Sequence, residues 1–508
     1  MSEKDAERRA GPEGEGLAAG TRRDRRGLEA KTTSDLVKVA GKADATAPFD
    51  ADDLMHDGDG AVTNPTVAGN PRTGLMDRLR ADLRNPLFLQ GYALMINTAI
   101  TAVLGLGYWV LATHLYSASA FGEGQIMISV LRLFASLTGL AFVGALARFI
   151  PVAGRRTAEF VVRGYVIAGV AGLVAALGFL LTLPLWGPVY GHLGGFGPGL
   201  FFLVSVLVWT VFTLQDVTLA GLRRAIWVPV NSLAFGLVKM AMLVGLARAL
   251  PDGGLFGGIF ISWIVPTALA LIPINWFIFT IVIPRHVRET RESAANPPPL
   301  REVGRFLAGD FPGTLSVLLI VYLVPVMVAA WLNDAAMFGY FSIAHTLGCM
   351  IELLAANMAV SLTVEGSFNA ARLAQSVRNA LRRTFLIVGP IIAMVVVAAP
   401  LILNVFGPEL SREGTPLLRL MALAVLPGTL IEIYLSMLRA QSRARSLAAV
   451  QIGMAVLVLV SVAAIFPAAG IVGVGYGMLS SQLLIALIIL PGLRRVIKVG
   501  KASQTVVA

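Results

Sequence analysis

Asp216-Val217-Thr218-Leu219-Ala220-Gly221-Leu222-Arg223 reads in register against Glu432-Ile433-Tyr434-Leu435-Ser436-Met437-Leu438-Arg439, with acid, β-branched residue, Leu, Leu and Arg recurring at the same places. A second pair, Ala120-Phe121-Gly122 and Met337-Phe338-Gly339, recurs at nearly the same offset. Two matches at nearly one spacing point to a duplicated chain, each copy several helices long.

The material between the copies is apolar. The 508 residues are 56% hydrophobic and 14% charged, with mean hydropathy +0.75; a soluble domain carries about 25% charged residues. A run of about 20 apolar residues spans the hydrocarbon layer as a helix. Such runs fall near 88–111, 126–147, 161–186, 199–222, 228–250, 256–283, 311–332, 338–364, 384–406, 416–438, 448–467 and 470–492. The expected fold is therefore an all-α polytopic membrane protein of about twelve transmembrane helices, in two pseudo-symmetric six-helix lobes around a central cavity. Six spans per copy is an even number, so both copies share one orientation and the repeat axis runs along the membrane normal.

Charge gives the expected orientation. Residues 1–86 hold 14 Lys/Arg and 16 Asp/Glu, leaving 27 basic against 14 acidic residues in the apolar portion. That excess sits in alternate loops: Arg148, Arg155 and Arg156; Arg223 and Arg224; Arg285 to Arg305; Arg372 to Arg383; Arg439 to Arg445; Arg494 to Lys501. The opposite loops hold chiefly Arg248 and Arg412. Basic loops stay on the cytoplasmic side, so both termini are expected there, and the charge reads as topology control rather than nucleic-acid binding.

The domain organisation follows: a polar tail at 1–74 that lacks the apolar residues for a core, an interfacial amphipathic helix at 75–87, an N-lobe at 88–283, a cytoplasmic linker at 284–310 containing Pro297-Pro298-Pro299, a C-lobe at 311–495 and a tail at 496–508. No apolar signal segment opens the chain.

Enzyme chemistry is not written here. The chain has no phosphate-binding G-x-x-x-x-G-K-[ST] loop, no H-E-x-x-H and no G-x-S-x-G. Its one cysteine, Cys349, lies in an apolar run, and His114, His192, His286 and His345 form no ligand spacing, so neither cofactor nor metal is expected.

The informative polar residues are those at bilayer depth, where an ionisable group costs several kcal/mol unless it faces a cavity or a partner. Lys239 in the fifth span and Glu352 in the eighth are the strongest candidates for a central cavity, the lysine for an anionic group and the glutamate for a proton or a sugar hydroxyl. Arg132 in the second span joins them or snorkels outward. Asn97, Asn231 and Asn357 have the donors and acceptors to hold a saccharide, although interhelical bonds explain them as well. Asp216 and Glu432 sit near the basic ends of their spans, where a gate or a structural ion pair is the expected role. Gly105, Gly107, Gly169, Gly172, Pro312, Pro325, Pro390 and Pro400 give the close packing and helix breaks of a moving protein.

The stretch from Phe88 to Pro151, with Ser119-Ala120-Phe121-Gly122 and the closing Leu146-Ala147-Arg148-Phe149-Ile150-Pro151, resembles the opening of Wzx-type polysaccharide-unit flippases. These belong to the superfamily that also holds the multidrug and toxin extruders and the lipid II flippases. The resemblance implies a bacterial inner-membrane protein that flips lipid-linked oligosaccharides to the outer leaflet for polysaccharide assembly. It also implies a cationic cavity, coupling to an ion or the membrane potential, and membrane lipids, a polysaccharide polymerase and other export proteins as partners, with no nucleic acid. Lys239 and Arg132 match that cavity by type and depth. Two alternatives stand beside it: a cation-coupled drug or metabolite antiporter of the extruder branch, which Asp216, Glu352 and Glu432 would serve, and a membrane-embedded polysaccharide polymerase or ligase, against which the short outer loops argue.

Overall fold

A computed structural model describes residues 86–222, 224, 227–249, 257–290, 300–368, 373–441 and 443–505. The expected N-terminal tail at 1–74 and positions 75–85 of the interfacial segment lie outside the described residues, whereas the expected C-terminal tail is helical as far as Thr505. What is described is nearly all helical, with no strand among the described residues.

The N-lobe is built from α1 (Pro86–Leu115), α2 (Ala118–Phe149), α3 (Thr157–Leu181), α4 (Phe196–Gly221), α5 (Trp227–Ala249) and α6 (Gly258–Phe277). A π turn at Ile278–Val282 carries α6 into α7 (Ile283–Glu289). The C-lobe follows with α8 (Leu300–Leu318), a π turn at Leu319–Leu323, α9 (Val324–Leu332), α10 (Ala335–Phe368), α11 (Leu373–Asn404), α12 (Pro408–Ala440) and α13 (Ala444–Thr505). Eleven helices among the described residues are long and apolar enough to span. α13 is two spans joined at Gly470, whose φ of 54° breaks the helix, so the described residues hold twelve helical segments of spanning length.

Several helices begin earlier than their apolar runs. α2 starts at Ala118 because the Ser117 side chain accepts a hydrogen bond from the Ala120 N–H at 3.3 Å, capping a first turn that hydropathy does not register. α11 starts at Leu373 with the amphipathic Asn379, Arg382 and Arg383 turns that precede its apolar run. Pro325 follows the π turn in the seventh span, where the missing proline N–H and the widened turn interrupt the regular helix.

Within each lobe the helices pack around buried aromatic and branched side chains: Phe202, Phe260 and Tyr190 in the N-lobe, Phe338 and Phe341 in the C-lobe. Between the lobes α2 packs along α10. At the end carrying the basic loops, Phe306 of α8 stands 5.7 Å from the Phe149 ring of α2, with the Arg148 guanidinium 5.1 Å above Phe306.

Candidate functional site

A cavity of about 490 Å³ lies between the lobes. α1 supplies Asn97, Thr101 and Gly105, α2 supplies Gln125, Ser129 and Arg132, and α5 supplies Ser232 and Lys239. Trp209 and Asp216 come from α4, Trp263 from α6, Tyr322 from the π turn, and Ser342, His345 and Cys349 from α10.

Lys239 is 6% exposed, and its charge rests on rings rather than on a carboxylate. Its Nζ lies 3.4 Å from the Trp263 ring centroid, 4.0 Å from Tyr108, 5.6 Å from Phe235 and 5.8 Å from Trp109. Each such contact contributes about 0.5–2 kcal/mol where water is excluded. The cage is held stiffly: Tyr108 Oη shares a hydrogen bond with Ser262 Oγ at 2.7 Å, and Trp109 stacks on Trp263 at 5.1 Å. Trp209 tilts against Trp263 from the other side at 5.5 Å. Arg132 repeats the arrangement with its guanidinium 5.1 Å from the Tyr322 centroid. Among the described residues neither cation has an ion pair. Two unneutralised cations on aromatic supports leave their outward faces for an incoming anion, and the rings offer flat surfaces for apolar or saccharide faces.

No family model matches this chain, and no curated protein does. Solved structures do. An inward-facing conformation of a multidrug resistance MATE family transporter of the MOP superfamily aligns with a TM-score of 0.60 at 13% identity, over 80% of this chain and 99% of that one. An outward-facing conformation of a MATE family transporter gives 0.51 at 16%, over 83% and 98%. The MATE multidrug transporter DinF-BH, solved as a complex, gives 0.57 at 13%, over 81% and 96%. This chain has the MATE transporter fold.

Within that MATE fold the anticipated polar residues separate into two groups. Asn97, Arg132 and Lys239 line the cavity together, and Asp216, expected at a gate or in an ion pair, lines it too. Asp216 accepts a hydrogen bond from Asn231 Nδ2 at 3.4 Å, which places Asn231 behind it rather than at the cavity wall. The buried Oδ1 of Asn97 has no partner among the described residues. Glu352 does not reach the cavity; its Oε1 accepts from Gln482 Nε2 at 3.0 Å, inside the C-lobe. Glu432, the repeat counterpart of Asp216, is also absent from the cavity wall. The side chain of Asn357 lies outside the described residues.

Sequence reasoning missed the aromatic half of the site and the His345–Cys349 pair, whose Sγ stands 3.8 Å from the imidazole. Trp209 and Trp263 are ordinary apolar residues of spans when read singly. The available signal was their distribution: of the seven tryptophans only Trp331 falls outside the N-lobe, and Trp109, Trp209 and Trp263 line the cavity.

Proposed function

We propose that this chain is a transporter that moves a lipid-linked oligosaccharide from the cytoplasmic to the outer leaflet by alternating access of its two lobes, with Lys239 and Arg132 receiving the phosphate-bearing head group. The observation that carries this reading is the pair of cavity cations, each seated on aromatic rings and neither ion-paired among the described residues. A cavity made for organic cations would place carboxylates at its centre; here Asp216 is the one carboxylate among the described lining residues. A lipid anchor is compatible with the wall. Thr101 of α1 and Met350 and Leu353 of α10, which belong to different lobes, border the cavity and are exposed, giving an apolar tail a route towards the bilayer.

Asp216 favours a second reading. The Asp216 carboxylate and the Asn97 carbonyl, which is unpartnered among the described residues, give the cavity wall oxygen atoms that could serve a coupling cation, and the solved structures of this fold include multidrug transporters. A cation-coupled drug antiporter would use the same lobes and invert the charge preference of the cavity. Both readings place the protein in the cytoplasmic membrane with the basic loops and both termini inside.

The test is a deletion strain. Accumulation of lipid-linked oligosaccharide on the cytoplasmic leaflet, relieved by the wild-type gene and not by an inserted Lys239→Ala copy, supports flipping. Normal leaflet distribution together with drug hypersensitivity moves the assignment to the antiporter.

A further inference from the structure

The two Phe-Gly elements that recur in the sequence touch each other. A side chain on Gly339 of α10 would begin 3.3 Å from the Gly122 Cα of α2 and 2.8 Å from the Phe121 ring. A Cβ on Gly122 has no room at all, falling 1.6 Å from the Ala335 carbonyl oxygen. Symmetry-related elements meet only on the axis that relates them, so this contact marks the pseudo-two-fold between the lobes. Phe121 and Phe338 are buried beside it.

The contact is also a lid. One helical turn further along, Gln125 on α2 and Ser342 on α10 already line the cavity, so the glycine seam closes it at the end opposite the basic loops. A second contact reinforces the closure. The connection at Pro188–Leu193 carries Tyr190, wholly buried, whose Oη donates to the Val326 carbonyl of α9 in the other lobe at 2.8 Å. Burial pushes the Tyr190 hydroxyl up, so it stays a donor at any physiological pH. Next to it Gly187, with φ of 104°, brings its backbone against Ala330; a Cβ there would lie 3.1 Å from the Ala330 oxygen. The C-lobe repeats the turn but not its close packing: Phe406-Gly407-Pro408 echoes Trp186-Gly187-Pro188, and Gly407 also has positive φ, at 134°, with open space around it. That corner borders a cleft with Thr113, Ala118 and Phe121 of the N-lobe.

We propose that the Gly122–Ala335–Gly339 seam and the Tyr190–Val326 hydrogen bond form the gate that shuts the cavity from the side opposite the basic loops. The gate closes only because glycine stands at both repeat positions, and the inference rests on the transporter reading. Interfaces packed backbone against backbone are bistable, since a side chain cannot be accommodated by small adjustments. Bulk at the seam therefore selects the open state, and loss of the tyrosine hydroxyl biases the equilibrium towards it.

Cys349 lines the cavity and is the chain's one cysteine, so it reports the gate without further engineering. Full-length protein in sealed vesicles of each orientation is treated with a membrane-impermeant maleimide. From the side opposite the basic loops, wild type is expected to label slowly, Gly122→Val and Gly339→Val about tenfold faster, and Tyr190→Phe, which removes one oxygen and preserves the ring, about fivefold faster. Gly389→Ala, on α11 away from the cavity wall and the seam and with open space around it, is the unchanged control. Equal slow labelling of wild type and all three gate variants from that side overturns the gate while leaving transport intact. Should Gly122→Val fail to insert, Tyr190→Phe decides alone. Wild-type Cys349 closed to reagent from both sides would instead overturn the transporter reading on which the gate rests.

Discussion

The Lys239 ammonium stands 3.4 Å above the centre of the Trp263 indole, on a helix pair that brings the two residues together at the cavity wall. The ring's negative face takes the place of a counter-ion. A carboxylate there would hold the lysine as tightly but would cancel the field that an anionic substrate needs. The aromatic cage keeps the charge in a mostly apolar site and leaves it unneutralised.

Removing the charge therefore separates from removing its support. Lys239→Met is expected to insert normally and to lower transport by tenfold or more, about 1.4 kcal/mol of substrate interaction. Tyr108→Phe keeps its ring beneath the lysine and loses the hydrogen bonds to Ser262 and the Ile259 carbonyl, at 2.7 and 3.2 Å. It should cost about 1 kcal/mol of stability with transport within about threefold of wild type. Thermal unfolding in detergent and a complementation assay measure the two effects side by side.

Charge reversal tests selectivity. In Lys239→Glu the cage cradles an anion against negative ring faces, which is unfavourable, and the cavity's balance swings towards cations together with Asp216. Binding of a cationic rhodamine dye, followed by fluorescence polarisation, is expected to strengthen several-fold over wild type while an anionic amphiphile weakens. An unchanged ratio of the two would show that Lys239 does not set the preference.

Glu352 gives the opposite pattern. It lies inside the C-lobe with Gln482, which is 1% exposed. Glu352→Ala strands the Gln482 amide in an apolar surround and should cost about 1–3 kcal/mol of stability. Glu352→Gln keeps a hydrogen-bonding partner and should lie near wild type. Neither change is expected to alter substrate affinity by more than about twofold, since Glu352 is not at the cavity wall. Melting temperature and ligand titration on the same samples check both halves.

Cys349 supplies a protection test. An occupant of the cavity should shield the thiol, so maleimide labelling is expected to slow when a phosphate-bearing glycolipid is present and to keep its rate with a neutral glycolipid of equal tail length. Mass spectrometry of the intact protein reads the extent of modification.

How much of this was legible in the sequence follows from which forces act locally. Twelve apolar runs, the break between lobes and the basic-loop pattern are one-dimensional signals, because the bilayer imposes length and polarity on each span separately. Arg132 and Lys239 were visible for the same reason, as charges at depth. Glu352 was equally visible and lies elsewhere, because helical phase decides: Cys349, Met350 and Leu353 face the cavity, and Glu352, about 60° round the helix from Cys349 on the side away from Leu353 and Met350, turns into its own lobe. Without a packing partner the sequence carries no mark of which side of α10 faces inwards. The recurrence of Phe121-Gly122 at Phe338-Gly339 could be read directly; that the two copies would abut required the three-dimensional arrangement, since contacts across 217 residues are set by how lobes pack.

The most direct test of the central claim is equilibrium binding of a phosphate-bearing lipid-linked oligosaccharide to the purified protein, compared with a dephosphorylated analogue and with the Lys239→Ala variant. The account predicts that wild type prefers the phosphate-bearing ligand by at least about tenfold, 1.4 kcal/mol, and that the preference collapses in the variant while affinity for the neutral analogue is retained. Equal binding of both ligands by wild type, or a preference that survives in Lys239→Ala, would contradict it.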